Sequence, residues 1–301
     1  MKDGILDKID IDILRVLIRD SRSSYRQIGL SIGLSTNASK SRVLKLISSS
    51  VIRQFFTTVN VAAFGYSKLC YLFIKNSKNI EETLSRIKLL GQLVLEVEGI
   101  GGISMIAVAI NRNNEQKIEL LTEALKPALI QNIFVGQSFP LKLKLKKTDF
   151  RILRCLLADA RMEISKIAKQ VSVSSKTAGD RLAKLKDNRI VIFNVATDPL
   201  NMKGYIRCGI LVRLENNTSQ KTLRLVQEVL ENQFIIALPM IHQENVMSFQ
   251  LVVNSIFELD PALKEVEILE GVKSAEVFIP RRGTLHQDWI LREIDERIKD
   301  Y

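Results

Sequence analysis

Nowhere does this sequence run to the roughly 18 uninterrupted apolar residues that a membrane-spanning helix needs. Met1-Lys2-Asp3-Gly4 leads into Asp7, Lys8 and Asp10 instead of an apolar signal core. A cytoplasmic protein with no membrane partner is therefore expected. Cysteine is scarce: Cys70, Cys155 and Cys208 sit in apolar runs with no C-x-x-C pair, which reads as buried thiols and argues against disulfides or a zinc site. The only histidines, His242 and His286, lie far apart in the chain, and no Walker loop, G-x-S-x-G or H-E-x-x-H occurs. No catalytic residue, metal site or cofactor is expected from such a set.

What the chain does have is positive charge, +11 in total, and it is concentrated. The first sixty residues carry about +5 and the segment from Lys142 to Phe193 about +9, leaving the remainder slightly acidic. Surface lysines kept for solubility explain the total but not this placement, which suits an anionic partner.

The two basic segments are also alike. At one constant offset, with no gap, Asp10 matches Asp149 and Ile13-Leu14-Arg15 matches Ile152-Leu153-Arg154. Asp20-x-Arg22 matches Asp159-x-Arg161, Ser35 matches Ser174, Arg42 matches Arg181, Lys45-Leu46 matches Lys184-Leu185, and Gly65-Tyr66 matches Gly204-Tyr205. Chance is a poor account of so many ungapped matches, and an internal duplication is the direct reading.

Each copy reads as a helix-turn-helix. In the first, Asp10 or Asp12 can cap a helix whose apolar face is Ile13, Leu14, Leu17 and Ile18, and Ser24-Tyr-Arg-Gln27 is a capping-box pattern opening a second helix through Ile28 to Ile32. Gly33-Leu34 is the turn, and Ser35 caps a third helix with Ser39, Val43 and Leu46 on one stripe. Its other face offers short polar and basic side chains of the kind that reach base edges in a major groove, Thr36, Asn37, Lys40 and Ser41, with Arg42 and Lys45 placed for phosphates. In the second copy the candidates are Ser175, Lys176 and Thr177 for bases, with Arg181 and Lys184 beside them. Gly179 and Asp180 weaken that copy, since glycine costs a helix interior about 1 kcal/mol against alanine and a carboxylate repels phosphate; the two units are not expected to read the same bases. Arg22 and Arg161 are expected to be structural or phosphate-facing.

Behind each helix-turn-helix comes a wing strand, Val51 to Phe56 and Ile190 to Phe193, and then a β-α-β-β-α-β string. In the first string, Leu69–Ile74, Leu93–Val97, Ile103–Ile110 and Ile133–Val135 read as strands. One helix follows Ile80, Leu84, Ile87 and Leu90, and a second follows Ile118, Leu121, Leu125 and Leu129. In the second, Ile206–Leu214, Phe234–Leu238, Val246–Val253 and Ala275–Ile279 are strands; Leu223, Val226 and Leu230 mark a helix, and Asp260-Pro261 starts another. Ile290, Ile294 and Ile298 form a stripe after an Asp288 cap, expected to dock on its own domain in preference to a partner. The expected architecture is α+β: tandem winged helix-turn-helix plus ferredoxin-like sandwich units, repeated twice. Its limits are 1–60 and 141–197 for the DNA-binding domains, 61–140 and 198–283 for the sandwiches, and 284–301 for a terminal helix.

A winged helix-turn-helix with Leu6-Asp7-x-x-Asp10-x-x-Ile13-Leu14, then Asp20-x-Arg22, Leu34-Ser35, Arg42-Val43 and Gly65-Tyr66, resembles the Lrp/AsnC (feast/famine) transcription regulators over the whole chain, twice. The resemblance implies binding of double-stranded DNA through the helix-turn-helix, with the sandwiches pairing subunits and sensing a small-molecule effector. Here the two sandwiches are expected to pair with each other, and the whole chain to form a homodimer. The effector candidates are Gly99, Gly101 and Gly102, where the family usually has glycine followed three residues later by aspartate; the second half has Pro239-Met-Ile-His242 there. Siroheme decarboxylases resemble the same family in fold, and Arg281-Arg282 near His286 is the counterpart that alternative would use. A regulator that acts as a non-DNA-binding interaction subunit is a third reading. The expected function is a DNA-binding transcription regulator without a catalytic site.

Overall fold

The first helix begins before either expected cap. In the computed structural model, which describes residues 6–75, 80–111, 125, 129–137, 141–216, 218–233, 236–243 and 246–300, Asp7 is the N-cap of α1 (Lys8–Arg19). Its Oδ1 accepts from the Asp10 N–H at 2.8 Å, and its own N–H donates to Asp10 Oδ2 at 3.3 Å, so Asp10 belongs to the first turn. The capping box at Ser24 and Gln27 opens α2 (Tyr25–Ile32), left-handed Gly33 closes it, and Ser35 caps α3 (Thr36–Ser48) as expected. Ile13, Leu14, Leu17, Ile28, Val43 and Leu46 are all buried in the centre of the three helices.

Strand β1 (Ile52–Val59) follows, then a 3-10 turn ended by left-handed Gly65, and the first sandwich: β2 (Tyr66–Lys75), α4 (Ile80–Lys88), β3 (Gln92–Gly99), β4 (Ile103–Asn111) and β5 (Leu129–Gln137). The expected second helix lies outside the described residues apart from Leu125, which is buried in this sandwich's core; Leu129 opens β5. In the second half, α5 (Lys147–Ala158), α6 (Ile164–Val171), α7 (Ser175–Asp187) and β6 (Val191–Thr197) repeat the helix-turn-helix and its strand. Then come β7 (Ile206–Leu214), α8 (Gln220–Gln233), β8 (Ile236–Gln243), β9 (Val246–Val253), α9 (Leu259–Glu267) and β10 (Val272–Phe278). Helix α9 starts before Asp260-Pro261, after a 3-10 turn capped by Ser255.

Three sheets result among the described residues. One sandwich has the strand order β10-β7-β9-β8, and the other has β3-β4-β2-β5 with one strand added at the β3 edge. That addition is β11 (Pro280–Leu285), which leaves the second half and pairs with β3, so the expected limit at 283 falls inside a strand of the other sandwich's sheet. The third sheet is only two strands: β1 and β6 pair antiparallel, with Phe55 opposite Val195 and Phe56 opposite Asn194. The expected wings are thus each other's partner. The duplication's offset interchanges those two residue pairs, which places an approximate two-fold axis through the ladder.

The sandwiches also face each other, as expected. On β2, Cys70, Leu72 and Ile74 point to the sandwich's own helix, while Phe73 and Tyr71 point to the second sandwich and pack with Leu211 and Val246. The Phe73 ring meets the Phe278 ring edge-on with centroids 6.2 Å apart. Cys70 and Cys208 are fully buried free thiols, pushed up to about 12 by desolvation, as the sequence implied. Among the described residues no helix is long and apolar enough to cross a membrane.

The terminal helix α10 (Asp288–Lys299) corrects one expectation. Its first residue is Asp288, the N-cap position is Gln287, and its apolar stripe docks away from the second sandwich. Trp289, Ile290 and Ile294 are buried in a core shared by the second helix-turn-helix and the first sandwich. Trp289 Nε1–H donates to the Leu93 carbonyl at 2.9 Å, and its ring packs edge-on against Tyr66 and Phe64. Removing a buried indole from such a joint costs about 3–5 kcal/mol. Trp289→Ala is expected to lower stability by that amount in urea unfolding followed by circular dichroism.

Candidate nucleic-acid interface

The two recognition helices are built by the same devices. Ser35 Oγ accepts from the Ala38 N–H at 3.2 Å, and Ser174 Oγ accepts from the Thr177 N–H at 3.0 Å. Ser39, Val43 and Leu46 of α3, and Ala178, Leu182 and Leu185 of α7, face inward. This leaves Thr36, Asn37, Lys40, Ser41 and Lys45 exposed on one helix and Ser175, Lys176, Thr177 and Lys184 exposed on the other.

Arg42 and Arg181, expected beside the phosphates, are instead turned inward onto the first helix of their own units. Arg42 Nη1 reaches Asp7 at 2.6 Å and the buried Asp10 at 2.9 Å. Arg181 grips the fully buried Asp149 with Nε at 2.6 Å and with Nη2. The reason lies in helix geometry: each arginine precedes a core residue, Val43 or Leu182, so it sits on the flank that meets α1 or α5, where the first-turn carboxylate waits. Asp7 is held below its ordinary value: partial burial raises it, but hydrogen bonds from Arg42 and the Asp10 amide, with the charges of Arg42 and Lys45, outweigh that.

Arg22 and Arg161 are structural, and reciprocal. Arg22 donates to the carbonyls of Ala160 and Met162 at 2.7 and 2.8 Å, and Arg161 donates to those of Ser21 and Ser23 at 2.8 and 3.1 Å. Each guanidinium also lies over a ring of the β1–β6 layer, Arg22 over Phe193 at 5.3 Å and Arg161 over Phe55 at 4.9 Å. Lys186 adds an ion pair to Asp20 of the first unit. The clamp fixes how α3 and α7 stand to one another. Sequence reading missed it, although the repeated Asp-x-Arg was its signal.

The glycine turn has an internal explanation. Gly101 and Gly102 take left-handed backbone between β3 and β4, and a Cβ on Gly99 would lie 2.3 Å from the Phe278 ring, so Gly99 is where the second sandwich presses against the first. Arg281 and Arg282, the residues of the decarboxylase alternative, are exposed on β11; Arg281 pairs with Glu98 at 2.9 Å, and His286 Nε2 lies 3.7 Å from Glu96. Among the described residues no group of three His, Cys, Asp or Glu is placed to hold a metal.

Comparison with known proteins accords with this geometry. The AsnC-type helix-turn-helix domain matches residues 6–47 and 145–186. The HTH-type transcriptional regulator Ptr1 of Methanocaldococcus jannaschii is 32% identical over 130 residues, 42% of this chain and 87% of that protein. The HTH-type transcriptional regulator FL11 of Pyrococcus furiosus is 31% identical over 114 residues, 38% of this chain and 76% of that protein. The chain belongs to the Lrp/AsnC family of transcription regulators, in a form that carries the helix-turn-helix twice. Across 98% of this chain and 99% of the other, the fold also matches the crystal structure of the siroheme decarboxylase NirDL, with a TM-score of 0.54 at 12% identity, a likeness of fold.

Two outcomes follow from the inward arginines. Arg181→Ala strands the buried Asp149 carboxylate, and a drop of about 3–5 kcal/mol in denaturant unfolding is expected. Asp7 has a depressed pKa in the fold, so its contribution is present above its unfolded value of about 3.9 and is lost as pH falls through the lower folded one. In Asp7→Asn, which keeps a capping side chain, stability measured from pH 7 down to about pH 3 is expected to fall less steeply than in the parent.

Proposed function

We propose that this chain is a DNA-binding transcription regulator in which one polypeptide presents two recognition helices, α3 and α7, to two half-sites of one duplex. The observation that carries the reading is the joint of the two helix-turn-helix units. The β1–β6 ladder and the Arg22/Arg161 clamp hold the units about an approximate two-fold axis, the arrangement that single-copy regulators reach by pairing two chains. Residues 1–60 and 141–197 are the DNA-binding portions in this reading. Thr36, Asn37, Lys40 and Ser41, and on the other helix Ser175, Lys176 and Thr177, address base edges; Lys45 and Lys184 address phosphates. Arg42 and Arg181 position the helices they stand on.

The sandwiches, about 61–140 and 198–279, pair with each other within the chain and leave their outer surfaces for a second copy, so the assembled regulator is a dimer with four helix-turn-helix units. A small-molecule effector acting through the sandwiches fits the family. The glycines at 99, 101 and 102 are accounted for by packing and turn geometry, which supports a reading in which the effector is held by other residues of the sandwiches. The relatives named as transcription regulators favour a binding protein over an enzyme. The whole protein works without leaving the cytoplasm.

The test is fluorescence anisotropy on the promoter fragment upstream of the protein's own gene and on a scrambled fragment, across a salt series. Tight, salt-steep binding that prefers the promoter is expected. The pairs Lys40→Ala/Lys45→Ala and Lys176→Ala/Lys184→Ala are each expected to weaken binding, with the slope of log K against log salt falling by about 1 for each phosphate that is no longer neutralised. Absence of binding to either fragment at low salt overturns the reading.

A further inference from the structure

We infer that the DNA element read by one chain of this protein is not palindromic: it consists of two unlike half-sites, read in one fixed orientation. This rests on the DNA-binding reading above.

Key scaffold devices of the two recognition helices are shared. Serine caps both recognition helices, an arginine joins each to a buried aspartate on the first helix, and leucine fills the same core position in Leu46 and Leu185. Lys45 and Lys184, at one equivalent exposed position, are also the same. On the rest of the outward face nothing agrees. Thr36 stands where the other helix has Ser175, Asn37 where it has Lys176, Lys40 where it has Gly179, Ser41 where it has Asp180, and Leu44 where it has Ala183. Inside, the matching buried positions Ser39 and Ala178, and Val43 and Leu182, all face the core, so the change in chemistry falls on the surface that would meet base edges.

Nor does the protein interior require it. A Cβ on Gly179 would meet only Ile164 carbons at 3.9 Å, an ordinary contact, so no internal neighbour demands glycine there. Asp180 is exposed and engages no cation among the described ion pairs. The chemistry of the two faces selects different bases. Asn37 offers a donor and an acceptor together, the pattern that matches adenine, and Lys40 offers donors that match guanine O6 and N7. On α7, Lys176 again suits guanine, Gly179 reads nothing, and Asp180 can only accept, which suits the cytosine amino group and disfavours a phosphate beneath it.

A regulator whose paired recognition helices come from two identical chains reads with identical helices, and the element under that pair mirrors the symmetry. Here both helices belong to one chain, so symmetry of sequence is not imposed. The joint between the units holds them on one scaffold, so the two readers cannot exchange places on the duplex, and the site acquires a direction.

The experiment is selection of binding sequences from a random double-stranded library by the purified full chain, followed by affinity measurement on the selected site and on its two symmetrised versions, left-left and right-right. A consensus of two unlike halves is expected. Each symmetrised site should bind more weakly by roughly 5- to 150-fold, the discrimination that one good base contact supplies. A variant with the α3 face on α7, Ser175→Thr/Lys176→Asn/Thr177→Ala/Gly179→Lys/Asp180→Ser/Ala183→Leu, is expected to select two identical inverted half-sites under one chain. Enrichment of two identical inverted half-sites within the element that one chain covers, or equal affinity for all three sites, overturns the inference while leaving DNA binding intact. Salt-dependent binding with no enriched sequence overturns it as well. No retention of any DNA at low salt overturns the DNA-binding reading itself.

Discussion

A lone β-strand leaves a row of backbone N–H and C=O groups without partners, and such groups must be paired wherever water is excluded. Each helix-turn-helix unit of this protein ends in one such strand, and neither unit supplies a second strand to complete it. The antiparallel ladder between β1 and β6 answers both needs at once. Around it, Arg22 and Arg161 each donate two hydrogen bonds to carbonyls of the opposite unit and stack on rings of the strand layer, Phe193 for one and Phe55 for the other. Burial lowers the Arg22 pKa, and neighbouring Arg161 lowers it further, while Asp20 and Asp159 raise it. Those aspartates balance the concentration of positive charge at the joint.

The same joint explains why the cores cross between halves. The first helix-turn-helix shares its core with Val195, Met202 and Val252 of the second half, and Leu6 N–H donates to the Lys203 carbonyl. The second shares its core with Phe64 and Tyr66 of the first half. Left-handed Gly65 and Gly204, at equivalent positions, turn the chain out of the paired strands into each sandwich. The chain therefore packs as two exchanged partners would, though it is one polypeptide.

The tail breaks this symmetry. β11 adds to the edge of the first sandwich at β3, covering a row of backbone groups that the second sandwich leaves open at its corresponding strand, β8, among the described residues. α10 then wedges Trp289 and Ile290 into the core between the first sandwich and α5. One copy of the repeat is thereby reinforced and the other is not. The two halves differ in what surrounds them as well as in what their recognition helices display.

Much of this was legible in the residues. The capping box at Ser24 and Gln27, the cap at Ser35, the buried stripe Ser39-Val43-Leu46 and the strands Ile206–Leu214 and Val246–Val253 follow from periods and caps that act over a few residues. β11 was not legible, because Pro280-Arg-Arg-Gly-Thr-Leu285 is largely exposed, shows no apolar alternation and is a strand only by virtue of the edge it meets. The inward turn of Arg42 and Arg181 was hidden for a related reason: an arginine on a basic helix points to phosphate unless a carboxylate from another helix lies within reach, and Asp10 and Asp149 are each 32 residues away in sequence. By itself, then, the sequence determined the helix-turn-helix helices, the caps at Ser24 and Ser35, the duplication and the sandwich order, all of them set by local periodicity and by matches between copies. Only the tertiary structure decided which strands pair, which arginines are engaged inside the protein and where the tail docks, because each of those depends on backbone groups and charges brought together from distant parts of the chain.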